Sequence, residues 1–162
     1  MTILVAYASE HGSTQEVAER IAEKLQQLGK QAEARPVESV EDLGSYEAVV
    51  IGSAVYYGSW LKVATEWVRR NQAVLAKLPV WLFSVGPLGI EFKEAEQQPK
   101  EMAELRKIIA RRDQRIFFGA LDSSRLSFTE RMMVRAVHAP EGDFRNWQAI
   151  EAWAESIART LG

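Results

Sequence analysis

Residues 2–14 restrict the fold more than any other stretch of the chain. Thr2 to Ala8 is an almost unbroken apolar run, with Ile3, Leu4, Val5, Ala6 and Tyr7 at its centre. A turn of Ser9, Glu10, His11, Gly12, Ser13 and Thr14 follows, and an amphipathic pattern starts at once. A short continuous apolar strand suits a sheet covered on both faces, and such sheets are mostly parallel. A hydroxyl-rich turn between that strand and a helix brings side-chain hydroxyls and backbone N–H groups to one point. The first turn of a helix carries about four unpaired N–H donors and roughly half a positive charge. That combination suits a phosphate.

The rest of the chain alternates in the same manner. Val17, Ile21, Leu25 and Leu28 form a 3.6-residue stripe that predicts a helix from about Ser13 to Leu28, stopped by Gly29. Gln31 to Val37 reads as a polar edge strand, and Ala48 to Gly52 as a central one. Ser59 is placed to cap a helix reaching about Lys77, with Leu61, Ala64, Val68 and Leu75 inward. Val80 to Gly86 is the next buried strand. Pro99 stands near the start of a helix whose apolar side is Met102, Leu105, Ile108 and Ile109. Arg115 to Leu121 is the last strand. Ser127 and Glu130 form a capping box for a helix to about His138. Asp143 or Asn146 opens the final helix, striped by Trp147, Ile150, Trp153, Ile157 and Leu161. The pattern predicts a doubly wound α/β fold in one domain over residues 1–162, with ligands beyond the carboxyl ends of the strands.

Composition removes several functions. The chain has no cysteine, which excludes disulfides, thiolate metal sites and cysteine nucleophiles. No His/Asp/Glu cluster has metal-ligand spacing, and no nucleophile sits in a recognisable elbow. No apolar stretch reaches the ~20 residues of a spanning helix, and no secretory leader pattern precedes the first strand, so a cytoplasmic protein is expected. The formal charge of −2 is unevenly spread: residues 1–52 hold nine acids and four bases, net −5, and residues 53–162 sixteen bases and thirteen acids, net +3. Nucleic-acid binding is not expected, because the aromatics sit at core spacing rather than among a basic stripe. Arg125, Arg131 and Arg135 interleave with Leu126, Phe128, Met132 and Met133 in the 125–138 segment. That mixture suits packing on the sheet, and it also suits peripheral contact with the inner face of a membrane.

The turn after the first strand lacks the three spaced glycines of a dinucleotide fingerprint and the Gly-Lys-Ser/Thr ending of a Walker loop. It resembles the FMN phosphate loop of the flavodoxin family, Thr/Ser-x-x-Gly-x-Thr, with Ser9, Gly12, Ser13 and Thr14 on the pattern. Gly52-Ser53 to Gly58 falls where that family has its second flavin loop, and Ser84 to Gly89 where it has its third. Val50-Ile51-Gly52 leading to Tyr57-Gly58, Phe118 to Leu121, and Gly142-Asp143 leading to Trp147 are similar to the flavodoxin-domain proteins that include the menaquinone-dependent protoporphyrinogen dehydrogenase. Two departures stand out. Glu10 puts a carboxylate in the phosphate loop, and Pro87 to Phe92 does not match that dehydrogenase.

The resemblance implies a flavodoxin-like five-stranded parallel sheet of order 2-1-3-4-5, with helices on both faces and non-covalently bound FMN. The cofactor-binding residues it implies are Ser9, Glu10, His11, Gly12, Ser13 and Thr14 at the phosphate. At the ring they are Ser53, Ala54, Val55, Tyr56, Tyr57, Gly58, Ser84, Val85, Gly86 and Pro87. Tyr57 is the first choice for stacking, with Tyr56 and Trp60 behind it. Asp122, Ser123 and Ser124 form a candidate substrate rim. The implied activity is an oxidoreductase in which the flavin carries the chemistry and no protein residue is catalytic. Its partner is a small-molecule electron donor or acceptor, with a quinone implied by the dehydrogenase. The alternative is a flavodoxin-type electron carrier, although a charge of −2 is weak for docking on basic partners. A receiver-type signalling module on the same fold would need clustered acids after the first and third strands, and the chain lacks them.

Overall fold

The leading apolar run becomes the axis of a sheet because both of its faces find cover. A computed structural model describes residues 2–9, 12–56, 59–86, 105, 107, 111–118, 120–121, 142–143 and 146–162. Strand β1 is Thr2–Ala8, and Ile3 through Ala6 are fully buried. It pairs in parallel with β2, Gln31–Pro36, on one side and with β3, Ala48–Tyr56, on the other. Beyond β3 come β5, Val80–Gly86, and β6, Arg111–Phe118, both parallel to their neighbours. The order is β2-β1-β3-β5-β6, which is 2-1-3-4-5 once the two-residue β4, Ser59–Trp60, is set aside. The strand order reverses between β1 and β3, the place where open α/β sheets take up ligands at the carboxyl ends of their strands.

Side-chain alternation divides the core between the two faces of the sheet. Ile3, Val5 and Tyr7 meet helix α1, Ser13–Gln27, and the final helix α4, Trp147–Leu161. Leu4, Ala6 and Ala8 meet α2, Lys62–Arg70, and Leu75 of the short α3, Gln72–Leu75. The α1 and α4 helices are also tied by Arg20, which pairs with Glu151 at 3.3 Å and lies 4.5 Å from the centre of the Trp147 ring. Leu105 is helical and buried on the α2 side.

Several boundaries differ from expectation for local reasons. The first helix ends at Gln27, and Leu28 becomes its C-cap, 44% exposed, as Gly29 turns the chain at φ 86°. Ser59 does not cap a helix: Ser59 and Trp60 pair antiparallel with Tyr56 and Val55, and α2 starts three residues later at Lys62. That helix stops at Asn71, whose side-chain amide donates to the Trp67 carbonyl at 2.8 Å, and α3 starts anew. The last strand of the main sheet begins at Arg111 rather than Arg115. An edge position lets charged residues sit in a strand, and Asp113 there accepts from the Trp153 indole at 3.1 Å. Ala120–Leu121, β7, leaves the main sheet and pairs antiparallel with Gly142–Asp143, β8. Asp143 is therefore in a strand, and Asn146 is the cap of α4, accepting from the Ala149 amide at 3.1 Å.

On the β2 edge, the Tyr46 hydroxyl donates to Glu33 Oε1, while Arg35 donates to the same hydroxyl at 3.4 Å and to the Ser39 carbonyl at 2.8 Å. Burial first, then the Glu33 partner, raises the Tyr46 pKa above 10.0, and Arg35 opposes the shift. The folded state holds this proton more tightly than the unfolded chain does. Its contribution to stability is complete below pH ~10 and is lost as the pH climbs through the raised folded value. Tyr46→Phe is expected to cost about 1 kcal/mol at pH 7. Its denaturation midpoint should fall less between pH 9 and 11 than that of the unmodified chain. Parallel curves over that range would mean that Tyr46 does not govern the alkaline limb.

Candidate functional site

The carboxyl ends of β1, β3 and β5 lie on one edge, in register, with Ala8 opposite Ser53 and Ser53 opposite Ser84. Three chain exits therefore converge there. The first runs through Ser9 to Gly12 and into α1. Gly12 takes the left-handed conformation, φ 88° and ψ −13°, which a side chain at this position would strain. Its amide donates to Ser9 Oγ at 3.0 Å, so the hydroxyl shapes the turn. The first helical bond runs from the Glu16 amide to the Gly12 carbonyl at 3.0 Å.

The residue at the cap position of α1 is Gly12, which has no side chain to close the helix. The final helix, by contrast, is closed by its own Asn146. Helix α2 also starts without a side-chain cap, on Leu61, but there the Leu61 amide is held by Ser53 Oγ at 3.0 Å. The mouth of α1 thus combines a bare glycine, a hydroxyl at Ser9, a second at Ser13 and a third on Thr14, which is 1% exposed. These groups fit a phosphate: they are neutral donors with a helix N-terminus behind them. Glu16 lies in the same turn and no Lys or Arg does, so an anion there would have to be held by hydrogen bonds and the helix end rather than by net charge. Burial, then the charges of Glu19 and Glu38, raise the Tyr7 pKa above 10.0, so that phenol at the end of β1 stays neutral at pH 7.

The second exit is the hairpin formed by β3 and β4. Ser53 is fully buried; its hydroxyl donates to the Ala54 carbonyl at 2.8 Å and accepts from the Leu61 amide. Ala54 and Val55 are buried as well, and Tyr56 closes the strand. Trp60 is core, 3% exposed, among the residues under α2. Its indole N–H donates to Ser84 Oγ at 2.8 Å. The third exit is the end of β5, where Ser84 and Val85 are buried and Gly86 is the last strand residue. Glu10, His11, Tyr57, Gly58, Pro87, the rim at 122–124 and the segment 125–138 lie outside the described residues.

Sequence reading missed the use that the protein makes of Ser53 and Ser84. Their hydroxyls have partners inside the sheet edge, and only the strand register reveals this. It also missed Trp67, 1% exposed, whose indole donates to the Val40 carbonyl at 3.1 Å. Among the described residues, no group of three or more His, Asp or Glu side chains could hold a metal ion, and no helix is long and apolar enough to cross a membrane.

The Flavodoxin domain family matches this chain over residues 4–147. Protoporphyrinogen IX dehydrogenase [quinone] of Escherichia coli strain K12 is 25% identical over 174 residues, covering 98% of this chain and 95% of that protein. Among solved structures, a flavodoxin from the domain Archaea superposes with a TM-score of 0.69 at 17% identity, over 99% of both chains. The rubredoxin:oxygen oxidoreductase of Desulfovibrio gigas superposes with a TM-score of 0.66 at 14% identity, over 99% of this chain and 36% of that one.

Proposed function

The chain belongs to the Flavodoxin domain family and is an FMN-dependent electron-transfer protein; on that premise we propose that it is an enzyme, an oxidoreductase that works with a small-molecule partner. The observation that carries the reading is the mouth of α1: a left-handed Gly12 in the cap position, with the Ser9 hydroxyl on its amide, at the point where strand order reverses. In this reading Ser9, Gly12, Ser13 and Thr14 hold the phosphate, and Glu10 and His11 complete the loop. The ring would be held at the ends of β3 and β5 by residues 54–58 and 85–87, with Tyr57 as its stacking residue and Ser53 and Ser84 beneath them in the sheet. One flavodoxin-like domain spans residues 1–162.

Bound FMN supplies the redox chemistry, taking up and passing on one or two electrons. The protein binds the phosphate, orients the ring and shields one of its faces. No side chain needs to act as acid or base. The likeness to the Escherichia coli dehydrogenase supports a quinone as acceptor and a two-electron substrate. Family membership alone fits a carrier without a substrate of its own, but a net charge of −2 gives little with which to dock on a basic protein.

The test is stopped-flow oxidation of the reduced, FMN-loaded protein. Rapid multiple turnover with a soluble quinone analogue is the expected result. Oxidation by a partner redox protein but not by quinones would overturn the enzyme reading in favour of the carrier. The visible spectrum of the protein as purified checks the premise, with FMN rather than FAD released on denaturation.

A further inference from the structure

Two buried serines at the ends of neighbouring strands hold the start of α2 and the second strand of the hairpin. Ser53 and Ser84 stand opposite each other on β3 and β5, 0% and 3% exposed. Ser84 Oγ accepts from the indole N–H of Trp60 at 2.8 Å, and Ser53 Oγ accepts from the main-chain N–H of Leu61 at 3.0 Å. The two donors belong to consecutive residues. Antiparallel pairing holds β4 through two residue pairs alone, Val55 with Trp60 and Tyr56 with Ser59. A two-stranded hairpin of that length is not stable by itself in water. Among the described residues, the Trp60 ring in the core and these two hydroxyls help to attach it to the sheet edge.

We propose that Ser53 and Ser84 are positioning residues for flavin binding, acting through the Trp60–Leu61 end of the hairpin rather than by touching the cofactor. The inference rests on the FMN reading above. Both hydroxyls are already used within the protein: Ser53 Oγ also donates to the Ala54 carbonyl at 2.8 Å. A single neutral hydrogen bond is enough to set one hairpin orientation over another but not to unfold a domain. Removing either one frees the exit of β3 while the mouth of α1 keeps its geometry. The ring end of the site then loosens independently of the phosphate end.

The experiment compares Ser84→Ala, Ser84→Thr and Trp60→Phe, with Ser53→Ala beside them. Amide hydrogen exchange of the apoprotein is read over residues 55–61, and affinities for FMN and for riboflavin, which lacks the phosphate, are read by flavin fluorescence. Ser84→Ala and Trp60→Phe are each expected to raise exchange in that segment and leave β1 protected. Both should weaken FMN and riboflavin by the same factor, about 3- to 10-fold. Ser84→Thr should restore both readouts. Unchanged riboflavin affinity in Ser84→Ala, or a loss confined to FMN, overturns the proposal. Trp60→Phe decides the matter if Ser84→Ala does not fold, since it removes the donor and keeps the core ring. Failure of the unmodified protein to bind FMN would sink the cofactor reading instead, and exchange in the apoprotein would still report on the two serines.

Discussion

Ser9→Ala combined with Thr14→Val is expected to weaken FMN binding by about 100-fold or more while the fold survives. A hydrogen bond to a charged group contributes about 1.5–3 kcal/mol, and two lost together amount to at least two factors of ten. The helix end and its amides remain, so binding is reduced rather than abolished. Valine has nearly the shape of threonine, and Thr14 is 1% exposed, so the replacement keeps the packing at the mouth of α1. Ser9 accepts from the Gly12 amide at 3.0 Å, and its loss relaxes the turn by one bond. Fluorescence titration with FMN and with riboflavin measures the effect. Riboflavin affinity should hardly change, because the ring end is untouched. Equal FMN affinity in the double variant would place the phosphate elsewhere.

Gly52→Ala is expected to destabilise the protein by about 3 kcal/mol, the upper end of the usual range for overpacking a filled core. A Cβ at this position on β3 would overlap the Phe83 ring, with Cζ its nearest atom. The ring cannot step aside, because Phe83 is fully buried with Phe117 at 6.4 Å and Trp153 at 6.1 Å between ring centres. Chemical denaturation followed by circular dichroism gives the loss. Phe83→Leu in the same chain should recover part of it, since the smaller side chain vacates the space over β3. A Gly52→Ala protein as stable as the original would mean that the sheet spreads at this point more cheaply than its packing suggests.

The glycine shows where reading the sequence stopped short. Gly52 was legible as the end of an apolar run, yet its reason is a ring 31 positions later on a neighbouring strand. Local signals did well where a buried parallel strand must be apolar throughout, as in Thr2–Ala8 and Val80–Gly86. They also served at Gly29, whose positive φ ends the first helix region as expected. They failed where a partner overrides local preference. Ser59 has the makings of a helix cap, but antiparallel pairing with Tyr56 claims its backbone. Arg111 to Gln114 stands ahead of the expected strand start at Arg115, and becomes strand because β5 has an edge to fill and Trp153 needs an acceptor.

By itself the sequence determined the alternation of strands and helices, the glycine turn before α1 and the hydroxyls around it. Those features arise from periodicity and backbone freedom within a few residues, and such constraints are written locally. The tertiary structure decided what the buried polar groups do. Ser53 and Ser84 are 31 residues apart in the chain and opposite each other in the sheet, and Trp60 finds its acceptor across 24 residues. A buried donor must be satisfied wherever the register happens to bring an oxygen, and register is a property of the assembled sheet.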